Sequence, residues 1–318
     1  MALHPYRSPL RYPGGKRKLA QYICRVFEMN GLCDGHYIEP YCGGASVAWA
    51  LLAGQYAGRV YLNDADPAVY AFWYCVLYQT DELLRFVRDT PVTMKQWHRQ
   101  RQILADPSAS RLELGQACFF LNRTNRSGIL TGGVIGGQQQ DGSCQVDDRF
   151  NREDLSRRIQ KIAYREFQIR LYNLDAPKFL EAIEPEVDIC NLIYLDPPYY
   201  EKGQGLYANA YGHAEHAAVA DMVGKLRSTL RGHWIVSYDN VPAIRALYQQ
   251  YESLEFNLHY SAQTRQAGDE VMFFSPRLYR PEVTAKMVPV AAPRPARAPE
   301  LVLMPTPAVA TNLQLTLF

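Results

Sequence analysis

A chain of 318 residues can form one large domain, or a domain carrying a substantial insertion, and it is too long for a bare binding motif. Hydrophobic residues make up 47% and charged residues 21%, the balance of a soluble globular chain with a real core, which excludes wholesale disorder. A net charge of +2 announces no polyanion partner in bulk, and no apolar run is long enough to span a membrane or, at Met1 to Ser8, to act as a signal peptide; a cytoplasmic protein is expected.

In chain order, Leu19, Tyr22, Ile23, Val26 and Phe27 recur at helical spacing after the Gly14-Gly15-Lys16 turn. Tyr37-Ile38 reads as a strand ending at Glu39-Pro40, which turns through Gly43-Gly44 into a helix from Ser46 to Leu52. Val60-Tyr61-Leu62 makes the next strand, ending at Asn63-Asp64, and Pro67 is placed to open another helix. This strand-turn-helix alternation predicts a doubly wound α/β fold with a mostly parallel sheet. In such a sheet ligands bind at the carboxyl ends of the strands.

From residue 81 to 155 the rhythm changes. Helical patterns around Trp97 and Phe119-Phe120-Leu121 lead into a polar, Gly-rich stretch from Thr131 to Gln140, read as an inserted, mainly helical subdomain with a long loop. Arginines recur there and just beyond, among them Arg99, Arg101, Arg111, Arg123, Arg126, Arg152 and Arg157. Such a footprint suits either phosphate contacts or ordinary solvated helix faces. Strands resume at Phe167 to Leu171, Leu192 to Leu195 and Trp234 to Ser237, separated by helices near Lys178 to Ile183 and Ala217 to Leu230. After Pro281 a Pro/Ala/Val composition describes an extended, disordered tail over 282–318.

The seven cysteines stand at irregular spacings with no C-x-x-C pair, the pattern of reduced thiols. His213 and His216 lie three apart on a helix expected at the surface, and no cysteine or carboxylate cluster completes a metal site, so none is expected.

The sharpest motif is Asp196-Pro197-Pro198-Tyr199, directly after an apolar strand. Two prolines stiffen a backbone that offers a carboxylate, carbonyls and an aromatic ring at a strand's carboxyl end. That set suits a planar amine: Asp196 and a carbonyl such as that of Pro197 accept its two N–H bonds while Tyr199 stacks on its ring. A tight turn after a core strand is the plainer alternative.

Three further segments stand in the order of one family. Leu10 to Lys16, Glu39 to Ser46 and Leu62-Asn63-Asp64, followed by Asp196 to Tyr199, make the chain resemble DNA adenine methyltransferases of the Dam type. The resemblance extends over most of residues 6 to 280 and includes Leu121 to Gly128 and Gly268 to Val271. It implies a Rossmann-like catalytic domain over 1–80 and 156–281, a target-recognition subdomain over 81–155, and S-adenosylmethionine as cofactor. It also implies Tyr12, Gly14, Gly15 and Lys16 at the cofactor's methionine end, Glu39, Pro40, Tyr41, Gly43 and Gly44 in the Gly-rich cofactor loop, and Asp64 on the ribose. Asp175 is either a further cofactor contact or a helix N-cap. Two departures stand out: Tyr12-Pro13 replaces the family's usual Trp-Ala, and Ala45 stands where a second glycine is usual. The stretch from Gly132 to Phe150 differs from the hairpin that reads GATC, so that preference does not carry over.

The expected reaction is transfer of a methyl group to the amino nitrogen of a flipped-out adenine in double-stranded DNA. An amino-methyltransferase acting on cytosine or RNA, or a catalytically inactive DNA- or clamp-binding protein of the same fold, is the alternative. Arg123, Asn125 and Arg126 are the candidate DNA contacts, with packing of a basic helix end as their other reading. The final Gln314-Leu315-Thr316-Leu317-Phe318 is similar to the peptide with which bacterial replication and repair proteins dock on the β sliding clamp. Gln314, Leu315, Leu317 and Phe318 would be its contact residues, on an enzyme that is bacterial or phage-encoded and associated with the nucleoid.

Overall fold

A computed structural model describes residues 7–11, 19–184, 190–201, 211–229, 232–256 and 270–282. The expected cofactor residues Tyr12, Gly14, Gly15 and Lys16, the segment Gly268-Asp269, and the tail with Gln314, Leu315, Leu317 and Phe318 lie outside these residues.

The first half of the sheet follows the sequence pattern closely. Helix α1 (Ala20–Met29) leads to β1 (Gly35–Glu39), α2 (Ser46–Ala53), β2 (Ala57–Asn63) and α3 (Pro67–Tyr78). Pro67 sits in the first turn of α3, and the Asp66 carboxylate caps it by accepting the Ala68 N–H at 2.8 Å. Four helices follow: α4 (Thr80–Asp89), α5 (Met94–Ala105), α6 (Arg111–Thr124) and α7 (Arg152–Ala163). Helix α6 opens with a reciprocal capping box between Ser110 and Glu113. The chain then returns to the sheet through β3 (Ile169–Tyr172), α8 (Ala176–Ile183), β4 (Asn191–Leu195), α9 (His213–Thr229), β5 (His233–Asp239), α10 (Pro242–Leu247), β6 (Ser253–Phe256) and β7 (Glu270–Phe274).

Strand order across the sheet is β3-β2-β1-β4-β5-β7-β6. Strands β3 to β5 in that order pair in parallel, and β7 inserts antiparallel between β5 and β6. The fold is therefore α/β and doubly wound, as its alternation predicts, with one antiparallel hairpin edge that the apolar pattern did not signal. The strand expected from Phe167 starts two residues later. Residues 166–168 form a 3-10 turn, and the Phe167 ring is exposed. None of the helices among the described residues is long and apolar enough to cross a membrane.

Side-chain alternation divides the strands between two cores. Tyr37, Val60, Leu62, Leu192, Tyr194, Ile235, Met272 and Phe274 join helices α1 to α7 on one face. Ile38, Tyr61, Ile193, Leu195, Trp234, Val236, Val271 and Phe273 join α8, α9 and α10 on the other. The helices of residues 80 to 163 share the first core: Leu83, Trp97, Phe119, Phe120 and Leu155 are buried in the same cluster as Trp49 and Phe72.

Helix α3 packs directly against α6, and the contact depends on Gly115. A Cβ at that position would lie 2.6 Å from the Ala71 carbonyl oxygen and 2.7 Å from the Cys75 sulfur. A glycine in a helix interior ordinarily gains about 1 kcal/mol on replacement by alanine. Here the collision is with backbone, so the sign reverses: Gly115→Ala should lower stability by about 1–3 kcal/mol in urea unfolding, the range for overpacked cores.

Candidate active site

Strand order reverses between β1 and β4, which lie side by side while their following helices cover opposite faces. This switch point opens a crevice at the carboxyl ends of the strands. Glu39 ends β1, Asp64 follows β2, Asp196 follows β4, Asp239 ends β5 and Glu270 begins the antiparallel β7. By alternation Glu39, Asp196, Asp239 and Glu270 fall on the same face as Tyr37, Tyr194, Ile235 and Met272. Five acids thus gather along one edge of the sheet.

The Gly-rich loop after β1 is held from three sides. The Trp73 indole N–H donates to the Gly43 carbonyl at 2.8 Å and that of Trp49 to the Gly44 carbonyl at 3.2 Å. The fully buried Asn63 amide donates to the carbonyls of Pro40 and Leu174, both at 2.9 Å, and accepts the Leu174 N–H. One side chain at the end of β2 therefore ties the loop after β1 to the loop after β3. Gly43 has a φ of 44° and Ala45 a φ of 49°, the left-handed region. Ala45 adopts the conformation that the more usual glycine would reach without strain, so the substitution leaves the turn in place.

Asp64 is committed to the same loop. Its Oδ2 accepts the Gly43 N–H at 2.8 Å and its Oδ1 the Asp66 N–H at 3.0 Å. Desolvation by the crevice outweighs these bonds and raises its carboxyl to about 7. Glu39 is buried, and its carboxyl is pushed well up by desolvation and by the neighbouring Asp196 and Asp64. Its Oε2 is buried with no hydrogen-bond partner. Tyr41 packs edge-on against Tyr211. Asp175 takes the N-cap position of α8 without a side-chain cap bond, and its carboxylate lies 3.6 Å from the Lys178 ammonium at the surface.

Asp196-Pro197-Pro198-Tyr199 leaves β4 beside this loop, and β5 and β7 hold it. Ser237 donates to Asp196 Oδ1 at 2.7 Å, and Ser237 is itself 2.8 Å from the buried Tyr194 hydroxyl. The Asp239 carboxylate accepts two backbone N–H groups just past the motif, those of Tyr200 at 2.9 Å and Glu201 at 2.7 Å. The Tyr199 hydroxyl donates to Glu270 Oε2 at 2.8 Å, and burial, with Asp196 and Glu270 nearby, keeps that phenol protonated. Ser237 and Asp239 carried no role in the sequence reading, and Glu270 entered it only within the Gly268 to Val271 match. The Ser-Tyr-Asp alternation at the end of the apolar strand β5 was the signal for the first two, while the antiparallel pairing of Asp239 with Glu270 joins separate stretches of chain, beyond any local pattern.

The His213/His216 pair was expected at the surface. His213 is exposed, but His216 is fully buried among Tyr200, Tyr211 and Tyr238, with Nδ1 3.1 Å from the Tyr238 hydroxyl. The aromatic ring cluster, invisible in sequence, turns that face of α9 inward.

The three candidate DNA residues occupy different settings. Arg123 is buried, its guanidinium donates to the Arg149 carbonyl, and burial with the nearby Arg11 and Arg158 charges lowers it to about 9. Asn125 is fully buried; it accepts the Trp97 indole N–H at 2.7 Å and donates to the carbonyls of Ile129 and Leu130. Arg126 is exposed. Asn122, beside them, makes a two-way bond to Arg11: its amide oxygen accepts the Arg11 N–H and its amide nitrogen donates to the Arg11 carbonyl, both at 2.7 Å. A Cβ on Gly128 would lie 2.2 Å from that carbonyl. The turn after α6 is thereby stitched to the residue just before the Tyr12 to Lys16 segment.

The Gly-rich loop after β1 and the proline-stiffened Asp196 segment after β4 thus flank the switch point of a doubly wound sheet. The model of the D12 class N6 adenine-specific DNA methyltransferases matches residues 12–267, and the chain belongs to this family. Its activity is thus methylation of adenine in DNA. No curated protein matches the chain. Among solved structures, protein LPL1258 from Legionella pneumophila str. Philadelphia 1 is similar over 83% of this chain and 86% of that one, at 10% identity and a TM-score of 0.33.

The raised Asp64 carboxyl has a pH consequence. A group whose folded value lies above its unfolded one stabilises the fold below the unfolded value and loses that contribution as pH climbs to the folded one. Ligand-free protein should therefore lose stability as pH rises from about 4 towards 7. Asp64→Asn should flatten part of that fall in denaturation midpoints measured across the range.

Proposed function

We propose that this chain transfers the methyl group of S-adenosylmethionine to the exocyclic amino nitrogen of an adenine turned out of the DNA duplex, with the crevice between β1 and β4 as the site. The observation that carries this reading is the juxtaposition of the Gly-rich loop and Glu39 on one side with the Asp196 loop on the other. The crevice suits the cofactor: it is acidic, its Glu39 Oε2 is buried and unpartnered, and its loop is rigid and turns through left-handed backbone. Glu39, Pro40, Tyr41, Gly43 and Gly44, with Tyr12, Gly14, Gly15 and Lys16, would hold it. Asp64, whose carboxylate braces the loop, would face the ribose, and Asp175 the rim of the same pocket. When bound, S-adenosylmethionine supplies a methyl group on a sulfonium.

The chemistry asked of the protein is positioning. A duplex hides the amino nitrogen, so the base must leave the stack at a cost of a few kcal/mol. Asp196 and the Pro197 carbonyl would accept the two amino hydrogens, aim the nitrogen lone pair at the methyl group and stabilise the positive charge that grows on nitrogen. Pro198 stiffens the loop. Tyr199, its ring fixed through the Glu270 bond, would cover the face of the base.

Residues 81–155 would form the target-recognition part of an enzyme whose catalytic part spans 1–80 and 156–281. Exposed Arg126 is suited to direct contact with phosphate or guanine, whereas Arg123 and Asn125 would shape the turn that presents it. The C-terminal Gln314, Leu315, Leu317 and Phe318 would dock on the β sliding clamp and raise the enzyme's concentration at newly replicated DNA, in the nucleoid of a bacterial cell.

Methyl transfer from labelled S-adenosylmethionine into DNA of diverse sequence, with modified adenines mapped by long-read sequencing, tests the central reading. Wild type should modify adenine within one short motif. Asp196→Ala should reduce transfer about a hundredfold to a thousandfold, the loss seen when a transition-state contact is removed, while still binding the cofactor by calorimetry. Full activity in Asp196→Ala would reject the assignment. Deletion of residues 312–318 should abolish capture on immobilised clamp and leave methylation of short duplexes intact; unchanged capture would end the docking proposal.

A further inference from the structure

The Asp196 carboxylate can rotate about its last side-chain bond, and each rotation presents a different edge to the incoming amino group. What fixes that rotation lies behind it. Ser237 on β5 donates to Asp196 Oδ1 at 2.7 Å. A serine hydroxyl carries one hydrogen, so the 2.8 Å contact between Ser237 and Tyr194 must be filled by the tyrosine's own O–H donating to Ser237. Ser237 and Tyr194 are both fully buried, on neighbouring parallel strands in the register that pairs Leu195 with Val236. Burial and the adjacent Asp196 hold the Tyr194 phenol well above its ordinary value, so it stays a donor throughout the working pH range.

We infer that Tyr194 and Ser237 form a buried donor chain that sets the rotation of the Asp196 carboxylate and favours its ionised form, making both positioning residues for methyl transfer. This rests on the reading of Asp196 as the acceptor of the target amine. The chain has a direction: each hydroxyl polarises the next, and both dipoles end on Oδ1. A carboxylate that accepts such a bond is favoured in its charged form, and the charged form is the stronger acceptor for an amine's N–H groups. Neither residue would touch the base or the cofactor, so their loss should act on turnover far more than on DNA binding.

Steady-state methylation across pH separates this role from packing. Ser237→Ala should lower kcat about tenfold to a hundredfold at neutral pH, leave the KM for DNA within about twofold, and move the acid limb of the kcat profile upward by about one pH unit, the size expected for one lost charge-assisted bond. Ser237→Cys keeps the shape with a weak donor and should follow alanine, which a packing role would not produce. Tyr194→Phe should shift the limb the same way by less, and should add nothing in the Ser237→Ala background, since the chain is already cut there. If Ser237→Ala does not fold, Ser237→Cys and Tyr194→Phe give the same reading. Wild-type kcat and an unmoved acid limb in these variants overturn the donor chain. If those variants are unchanged while Asp196→Ala is inactive, only the chain fails; an active Asp196→Ala removes the assignment on which it rests.

Discussion

The structure is organised by the cost of crowding carboxylates at one edge of a sheet. Glu39, Asp64, Asp196, Asp239 and Glu270 converge where strands end, and like charges in a desolvated crevice oppose ionisation. Nearly every neighbouring element answers that constraint with a donor. The Gly-rich loop offers the Gly43 amide to Asp64, β5 offers Ser237 to Asp196, the segment after the double proline offers two amides to Asp239, and Tyr199 offers its hydroxyl to Glu270. The acids therefore double as braces. Glu39 is the contrast, with one oxygen buried and without a hydrogen-bond partner.

The helices between β2 and β3 are joined to the N-terminal segment at Arg11 and to one another by polar contacts. Asn122 holds the backbone of Arg11 from both sides, and the Arg11 guanidinium donates to the Asn125 carbonyl at 3.1 Å. Trp97 of α5 fixes Asn125 in turn. Buried polar side chains in this region thus connect three segments far apart in sequence, and each is satisfied by bonds that a hydrophobic replacement could not make. The result is a turn whose exposed arginine is carried on a rigid base.

Much of the fold was legible because it is local. Alternating apolar runs, the Gly43-Gly44 turn, Pro67 at the start of α3 and the strand before Asp196 all appear within a few residues of the features they cause. The antiparallel β6-β7 edge was not legible, since its pairing with β5 joins Ser253–Phe256 and Glu270–Phe274 to a strand encountered earlier, with no local turn signal among the described residues. Burial of polar residues was equally hidden. Arg123 and His216 carry charge or polarity that a linear pattern assigns to the surface, and only the packing of α6 and α9 against their neighbours turns them inward.

The sequence by itself determined the alternation of strands and helices, the strand-end positions of Glu39, Asp64 and Asp196, and the family, because each depends on residue type and near-neighbour spacing. The tertiary structure alone decided which groups brace those acids and which arginine remains exposed. Hydrogen bonds such as Ser237 to Asp196, Tyr199 to Glu270 and Asn122 to Arg11 join residues 41, 71 and 111 positions apart. A chain's local pattern cannot encode such pairs; they exist only once sheet register and helix packing bring their atoms within bonding distance.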